Sequence, residues 1–406
     1  MPVDDGGAVA AMATGYAQGS GREVQELRAV LAALRHVPRD RARALPSAFY
    51  TSRDYLEFER DALFRTQWIC VGHVGAIPNV GDYFTAELVD EQLLIVRDTA
   101  ATVSVLSNVC RHRGSPVAAM SAGHAVRFVC GYHGWTYALD GRLLAAPLIL
   151  DGEHFSKAAC RLPRFASEIW QGYVFVNLDG SAAPLAAALA PIEPFIRNYH
   201  PSEQHFLYET QEVWQTNWKC LVENFMEGYH LSPLHAKTLH AVTPTNLCEK
   251  LPDGDAFTGY RANFHPQCPE RGPYHPDLTP QERRSDVFYC IYPSFVVGFC
   301  PHFTLYMCIR PLTADSVAIR WGVTGVADDP QSPVVENYLK FCKEFCAEDR
   351  AQLERLQRGL NSPSYVPGPL APDHAEGTVW DIIQYMARRL GLPERAATAA
   401  SIDSRG

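Results

Sequence analysis

The sequence reads CRHRG at residues 110–114 and, a little further on, CGYHGWTYALDGRL at residues 130–143. Each segment carries one cysteine and one histidine: Cys110 and His112 in the first, Cys130 and His133 in the second. Short runs rich in β-branched and aromatic residues surround both segments, separated by Gly, Pro, Asp and Asn, which is typical of antiparallel strands joined by turns. We therefore predict a small antiparallel β domain that carries the two Cys/His pairs at hairpin tips.

Two thiols and two imidazoles are the donors of two kinds of metal site. They could hold one tetrahedral zinc ion, or a [2Fe–2S] cluster with two thiolates on one iron and two imidazoles on the other. Each segment pairs one cysteine with one histidine instead of pairing like with like, and this favours the cluster. Neutral imidazoles in place of thiolates make such a cluster less negative and raise its reduction potential. We interpret the four residues as cluster ligands, with zinc as the alternative.

The composition limits the class of protein. The chain has 406 residues, 47% hydrophobic and 20% charged, as expected of a globular protein with two or three domains. Its 36 Lys and Arg against 45 Asp and Glu give a charge of −9, so we expect no nucleic-acid or membrane binding. No apolar run approaches the roughly 18 residues of a membrane helix, and the first twenty residues lack a signal pattern. We predict a cytoplasmic enzyme whose cysteines are thiols or metal ligands.

The sequence predicts strands first and then strands mixed with helices, a succession that indicates an α+β fold. We expect the β domain to be followed by a catalytic domain in which helices pack on an antiparallel sheet. Helical periodicity predicts helices near 22–36, 52–66 and 332–359, the last beginning at Ser332 and Pro333. The predicted organisation is a flexible tail at 1–21, helices at 22–65 that pack on the catalytic domain, the β domain at 66–168, the catalytic domain at 169–390 and a second tail at 391–406.

A second donor set begins in NWKCLVENFMEGYHLSPLH at residues 217–235. His230 and His235 are five positions apart, which differs from the i,i+4 spacing of helical zinc sites. We expect a helix that Pro233 ends, with His230 on its last turn and His235 just beyond it. Such a corner can direct two imidazoles at one metal ion.

The third ligand is predicted in the 332–359 helix. Asp349 lies four residues after Phe345 and four before Leu353, on the apolar face, where an unpaired carboxylate would be costly. Glu348 lies about 100° away around the helix and is by default a solvated charge, although it stays the alternative ligand. Two histidines and one carboxylate form the facial triad of ferrous enzymes that activate O₂.

These motifs resemble those of the Rieske non-heme iron oxygenases over about residues 45–375. CRHRG with CGYHGWTYALDGRL resembles the family's cluster signature, residues 217–235 its iron-histidine segment, and EDRAQLERLQRGL at 348–360 its C-terminal ligand helix. The resemblance implies a terminal oxygenase α subunit, with three subunits packed head to tail as a homotrimer or as a hexamer built of trimers. It further implies that Glu227, three residues before His230, links a cluster histidine of one subunit to an iron histidine of the next.

Glutamate at position 227 resembles the branch that acts on quaternary ammonium compounds such as carnitine, glycine betaine and choline. The resemblance implies a [2Fe–2S] cluster, mononuclear Fe(II) and O₂. No dinucleotide-binding fingerprint occurs, so NAD(P)H would act only through a separate flavin/iron–sulfur reductase or a ferredoxin. The expected reaction is hydroxylation or oxidative demethylation with C–N cleavage of a small substrate. The alternatives are an aromatic-ring dioxygenase or aromatic-acid monooxygenase and, more remotely, a non-catalytic electron-transfer protein.

The substrate pocket is the least determined feature. Aromatic and sulfur-containing residues on predicted strands would line it and could bind either a trimethylammonium group or an arene: Phe288, Tyr292, Phe295, Phe299, Phe303, Leu305 and Met307. The loop at 236–284, rich in Gly, Pro and charge, is predicted to form its mouth.

Overall fold

The computed structural model describes residues 21–270 and 272–393. Most of the two predicted tails therefore lies outside the described residues, although Gly21 already belongs to a helix. Within the described ranges, no helix is long and apolar enough to cross a membrane.

The N-terminal helices pack against the last helix within the described residues. They are α1 at 21–34, α2 at Ala48–Thr51 and α3 at Arg53–Glu59, and α3 continues as a π-helical turn to Phe64. The hydroxyl of Ser52 accepts the Tyr55 backbone N–H and caps α3. The guanidinium groups of Arg28 and Arg35 donate to the Leu390 and Ala387 carbonyls, which end that last helix.

The β domain contains short antiparallel strands in three small sheets. The strands are β1 Ile69–His73, β2 Asp82–Leu88, β3 Glu91–Arg97, β4 Val103–Ser107, β5 Ala122–His124, β6 Phe128–Val129, β7 Thr136–Tyr137, β8 Leu143–Ala145, β9 Ala166–Trp170 and β10 Tyr173–Asn177. The sheet orders are β4-β3-β2-β5, β6-β7-β8 and β1-β10-β9. The domain boundary predicted at 168/169 lies inside β9. Strand β1, at the start of the β domain, pairs with β10, so the β domain extends beyond residue 168.

The catalytic domain is built on a seven-stranded antiparallel sheet of order β11-β17-β16-β15-β14-β13-β12. Its strands are β11 His205–Trp214, β12 Cys248–Lys250, β13 Phe257–Asn263, β14 Ser285–Ile291, β15 Phe295–Phe299, β16 Phe303–Thr313 and β17 Ser316–Gly325. The helices are α4 Leu185–Leu189, α5 Glu193–Ile196, α6 Trp218–Phe225, α7 Leu231–Leu234, α8 Pro333–Leu360 and α9 Asp373–Leu390. The long α8 confirms the helix predicted from Ser332-Pro333 onward.

The period-two alternation of the strands gives this sheet two buried faces. One face packs with α6, α8 and α9 in the main hydrophobic core, and the other packs with α4, α5 and β10 in a second core. Adjacent residues of one strand therefore belong to different cores. Val287 and Tyr289 lie in the second core, whereas Phe288 packs on the first.

A buried ion pair anchors α6. The Lys219 Nζ lies 2.7 and 2.8 Å from the two carboxylate oxygens of Glu59, and neither side chain is exposed. The Trp218 indole N–H also donates to Glu59, at 3.0 Å. Because Glu59 ends α3, this pair fastens the N-terminal helices to the helix that leads into the histidine segment.

Candidate functional site

The histidine segment is not one continuous helix. Helix α6 ends at Phe225, and His230 and His235 flank the single turn α7, so the prediction that His230 lies on the last turn of a helix ended by Pro233 is wrong. The backbone N–H of Gly228 donates to the Ala375 carbonyl of α9, and the Met226 carbonyl accepts the hydroxyl of Thr378. These bonds to α9 take the place of bonds that would continue α6.

Gly228 also needs to be glycine at this corner. A Cβ atom there would lie 2.5 Å from the Cys248 sulfur of β12. The chain therefore passes close to the sheet edge before it turns back, and this path brings the two imidazoles together.

His230, His235 and Asp349 converge on one point. The Asp349 Oδ1 lies 3.1 Å from the His235 Nε2 and 3.6 Å from the His230 Nε2, and one donor atom from each residue lies within 4.8 Å of the others. His235 and Asp349 are buried. Two imidazole nitrogens and one carboxylate oxygen on one side of a cavity are the donors of a 2-His-1-carboxylate ferrous site.

Carboxylates hold the outer nitrogen of each histidine. The Glu227 Oε1 lies 2.5 Å from the His230 Nδ1, and the Glu348 Oε2 lies 2.7 Å from the His235 Nδ1. A carboxylate at Nδ1 favours the tautomer with the proton on that atom, which leaves the Nε2 lone pair for a metal. Burial alone would lower the pKa of His230, yet the Glu227 and Asp349 carboxylates raise it above its ordinary value.

Glu348 is not the solvated charge that its position on the helix suggested. It accepts hydrogen bonds from His235 and from the Thr238 hydroxyl, the latter at 2.6 Å. Partial burial raises the pKa of Glu348, but these hydrogen bonds outweigh that effect and lower it. Since Asp349 faces both Nε2 atoms and Glu348 faces an outer nitrogen, the geometry favours Asp349 as the third donor.

Asn224 is a site residue that the sequence did not single out. Its Nδ2 donates to the Asp349 Oδ1 at 2.9 Å. The amide fixes the oxygen that faces both histidines. Its position in the ENF triplet, one residue before the end of α6, was the available signal.

The two Cys/His loops of the β domain have the same hydrogen-bonding pattern. The Cys110 N–H donates to Ser115 O at 2.9 Å, and the Cys130 N–H donates to Trp135 O at 2.8 Å. Each loop then closes with a glycine N–H donating to the cysteine carbonyl, and both glycines, Gly114 and Gly134, have positive φ, of 80° and 72°. Two matching turns thus present two Cys/His pairs side by side.

In this pair of loops the cysteine thiols are buried and the histidine rings are exposed to solvent. Cys110 and Cys130 are buried, whereas His112 and His133 are exposed with ring centroids 4.6 Å apart. Among the described residues, no three of these four bring donor atoms within 4.8 Å of one another, as one zinc ion would require. A two-iron cluster spreads its donors over two metals, so the arrangement fits the cluster better.

Polar neighbours surround the two thiols. The Tyr137 hydroxyl lies 3.3 Å from the Cys110 Sγ and accepts the Arg111 backbone N–H at 3.1 Å. Burial raises the pKa of the Cys130 thiol, but hydrogen bonds from the Tyr132 backbone, from Cys110 and from the His133 backbone bring it below its ordinary value. A thiolate at this position would therefore be stabilised.

A cavity opens beside the His230, His235 and Asp349 side chains. Its sheet side is formed by residues of β13, β14 and β16 and of the turn between β15 and β16. Tyr260 stacks on Phe288 with ring centroids 5.0 Å apart, and Asp286, two residues before Phe288, lies on the same face of β14. A Cβ at Gly298 would lie 2.5 Å from the Phe288 ring, so this glycine makes room for that ring.

Only part of the predicted pocket lines this cavity. Phe288 and Leu305 do, and residues of the 236–284 loop such as Leu239, Phe264 and Cys268 form part of its wall. Phe295 and Phe299 lie in the second core on the opposite face of the sheet. Tyr292, Phe303 and Met307 pack in the main core, outside the set of described residues that line the cavity.

Comparison with known proteins agrees with this two-part architecture. Residues 67–151 match the Rieske [2Fe-2S] domain family, and residues 197–392 match the catalytic domain of the ring hydroxylating alpha subunit. The chain is 34% identical over 199 residues to the glycine betaine monooxygenase oxygenase subunit of Chromohalobacter salexigens, over 49% of this chain and 44% of that protein. It is 26% identical over 396 residues to the protein of the same name from Pseudomonas aeruginosa, over 88% and 92% of the two chains.

A crystal structure of a quaternary ammonium Rieske monooxygenase in complex with an inhibitor has the same fold. The two superpose with a TM-score of 0.77 at 23% identity, over 86% of this chain and 96% of that chain. The two matched domain families define an oxidoreductase with a Rieske [2Fe-2S] domain and a ring hydroxylating catalytic domain. The chain belongs to the Rieske non-heme iron oxygenases, as an α subunit.

Proposed function

We propose that this α subunit takes electrons from a separate reductase and uses O₂ to hydroxylate or oxidatively demethylate a quaternary ammonium compound. The observation that carries the proposal is the cavity beside the His230, His235 and Asp349 set, which combines stacked aromatic rings with the carboxylate of Asp286. The similarity to glycine betaine monooxygenase oxygenase subunits supports the same substrate class.

Two residue sets would hold the metal groups. Cys110, Cys130, His112 and His133 would hold the [2Fe–2S] cluster, and His230, His235 and Asp349 would hold the ferrous ion. When bound, these groups store and deliver electrons and activate O₂. Glu227 and Glu348 keep the two imidazoles oriented with their Nε2 atoms toward Asp349, and Asn224 fixes the Asp349 oxygen between them.

The exposed histidines of the β domain point to transfer between subunits. His112 and His133 lie at the surface, and Tyr229, beside Glu227, is 57% exposed. In the proposed homotrimer the cluster of one subunit docks near Glu227 of the next. A carboxylate that already holds the His230 Nδ1 could then accept a second hydrogen bond from a cluster histidine across the interface.

The charges around the cavity favour a cation. Asp286 is acidic and lies outside the proposed metal ligands, and the described residues of the cavity lining include neither Lys nor Arg. The charge of Asp349 would be offset by the ferrous ion. The faces of Tyr260 and Phe288 carry the negative part of the aromatic quadrupole, which attracts an ammonium group by about 0.5–2 kcal/mol. An aromatic acid would find no Lys or Arg partner among these residues, so the aromatic-acid monooxygenase is disfavoured, whereas a neutral arene stays the alternative.

A matched pair of ligands tests the substrate class. Choline and its neutral carbon isostere 3,3-dimethylbutan-1-ol have nearly the same shape and differ in charge. We expect binding of choline, glycine betaine or carnitine to the holoenzyme, measured by calorimetry, and formation of formaldehyde or an aldehyde product with a surrogate reductase. Asp286→Asn should weaken binding of the cation about tenfold and leave the weak binding of the isostere unchanged. Equal affinity for both ligands, or cis-diol formation from naphthalene, would instead support the arene alternative.

Glu227→Gln tests the proposed electron route. The variant should retain both metal centres, because Glu227 ligates neither, and it should slow product formation strongly because a neutral amide cannot accept from two imidazoles at once. Single-turnover kinetics should show normal cluster reduction and delayed cluster oxidation after substrate and O₂ are added. Glu223→Gln, one turn earlier and away from His230, is the control. Oxidation at the wild-type rate in Glu227→Gln would remove Glu227 from the route.

A further inference from the structure

A second set of metal-type donors lies away from the iron site. It joins His200, in the segment before β11, to His275 and Asp277, in the loop at 264–284 between β13 and β14. One donor atom from each residue lies within 4.8 Å of the others. Both histidines are half-buried, and Asp277 is exposed toward solvent.

The donor atoms form a compact triangle. The Asp277 Oδ2 lies 2.9 Å from the His200 Nε2 and 3.7 Å from the His275 Nδ1, and the two rings stack with centroids 3.7 Å apart. Ligand atoms around a tetrahedral zinc ion, with bonds of 2.0–2.1 Å, are roughly 3.4 Å apart. The His275 Nδ1 accepts the Asp277 backbone N–H at 3.3 Å, so a single ion can contact all three atoms once the His275 ring turns its nitrogen from this N–H toward the ion.

The outer nitrogen of His200 provides an independent indication. Its Nδ1 lies 3.1 Å from the Glu203 Oε1, while its Nε2 faces Asp277. The same arrangement occurs twice at the iron site, where Glu227 holds the His230 Nδ1 and Glu348 holds the His235 Nδ1. A carboxylate on the outer nitrogen is the usual partner of a metal-bound histidine.

We propose that His200, His275 and Asp277 bind a divalent transition-metal ion of the zinc type, with Glu203 orienting His200 and water completing the coordination. The ion fastens the 264–284 loop to the segment before β11. Asn198 already contacts the same loop through Glu282, at 3.0 and 3.1 Å. Because Phe264 and Cys268 of this loop line the substrate cavity, the clamp fixes one side of its mouth.

The rival occupant of the site is a proton. An imidazolium at His200 could donate to Glu203 and to Asp277 at once and hold the loop without any ion. The two possibilities differ in one measurable respect. Only the metal site needs a nitrogen of His275 as a ligand.

Zinc binding to the iron-loaded holoenzyme tests the proposal. After dialysis against micromolar Zn²⁺, metal analysis should find about one zinc per subunit in excess of any iron lost. His275→Gln and Asp277→Asn should each weaken this zinc binding at least tenfold while the iron content stays at the wild-type level. Zinc should also slow proteolytic cleavage within 264–284 in the wild type only.

Two further variants guard against misfolding and non-specific binding. His200 has left-handed backbone angles, φ 47° and ψ 52°, which asparagine tolerates, so His200→Asn removes the donor and keeps the local conformation. His124→Gln changes a surface histidine paired with Asp82 alone and should leave zinc binding intact. Absence of excess zinc in the wild type, or equal zinc in wild type and His275→Gln, would overturn the metal site and leave the proton as the occupant.

Discussion

The hairpin tips of the β domain and the buried corner beside α8 present similar donors in opposite ways. The four tip residues lie within 24 positions of one another, and their imidazoles are exposed. The corner brings Asp349 to a histidine 114 positions earlier and buries both. Exposed rings suit exchange of electrons with another molecule, whereas a buried corner suits chemistry from which water is excluded.

The two regions also differ in what holds them. Local backbone turns with positive-φ glycines shape the tips, whereas carboxylates from two elements orient the histidines of the corner. We expect the corner to depend on distant residues and the tips to depend on their own loops. Four predictions, from the largest effect to the smallest, test this contrast.

Asp349→Ala should abolish iron binding at the corner and leave the tips intact, because it removes the one donor that faces both Nε2 atoms. Iron content should fall from about three to about two per subunit, with an unchanged visible spectrum of the cluster and no turnover. Cys110→Ala should do the reverse. Wild-type iron content in Asp349→Ala would identify a different third ligand, with Glu348 the next to test.

His112→Cys should lower the reduction potential of the cluster by a few hundred millivolts, since a thiolate adds negative charge where an imidazole adds none. Redox titration followed by absorption measures the shift. Tyr132→Phe, which alters an exposed neighbour in the same loops, is the control and should leave the potential nearly unchanged. An unchanged potential in His112→Cys, or zinc in the purified protein, would contradict the cluster assignment.

Lys219→Met should destabilise the protein by about 3–5 kcal/mol, because it leaves the Glu59 carboxylate buried without its partner. Chemical denaturation followed by circular dichroism measures the change. Lys219→Met combined with Glu59→Gln should cost less than the sum of the single changes. Arg113→Met, which removes an exposed contact with Tyr132 at the tips, should stay within about 0.5 kcal/mol of wild type. Equal losses in Lys219→Met and Arg113→Met would contradict the contrast between the regions.

Glu223 predicts a pH dependence of stability at the base of the corner. Burial, aided by the Glu376 and Glu59 carboxylates, raises its pKa to about 8, while the hydrogen bond from Tyr50 and the charge of Lys219 oppose the rise. The unfolded chain releases this proton near pH 4.5 and the folded chain near pH 8, so the free energy of unfolding falls as pH rises between those values.

Glu223→Gln should remove that loss. Since Glu223 borders a second cavity and is only partly buried, we expect the variant to be more stable than wild type by about 1–2 kcal/mol at pH 8.5 and nearly equal at pH 5. Thermal unfolding at both pH values measures the difference. Glu153→Gln, an exposed carboxyl of the β domain, is the control. A difference of the same size at both pH values would mean that Glu223 is ionised in the folded protein.

Local spacing determined several features without the structure. The two Cys/His pairs were identifiable because each pair lies within one loop, and the structure brings them side by side as predicted. Asp349 was identifiable because α8 has 28 residues. Over that length the helical periodicity defines an apolar face clearly, and a carboxylate on that face stands out. The assignment of these residues as metal ligands stays a prediction, which the iron content of Asp349→Ala and Cys110→Ala tests.

Other features depended on contacts between distant segments. Helix α6 ends at Phe225 because the residues that follow form hydrogen bonds to α9, about 150 residues away. The sequence near Phe225 did not indicate these bonds. Glu348 was misinterpreted because the histidine that it contacts lies 113 positions earlier.

The sequence alone predicted the protein family and the members of the two donor sets, because the Cys/His pairs, the His230–His235 spacing and the apolar face around Asp349 are each visible within one local segment. Only the tertiary structure decided which aromatic residues face the cavity. Phe288 lines the cavity and Phe295 does not. Successive side chains of a strand point to opposite faces of the sheet, and the strand register decides which of them face the cavity. The structure alone also brought His200 to His275 and Asp277, because a loop must fold back over 75 residues to do so. Side-chain convergence across such separations follows from packing, which local spacing does not encode.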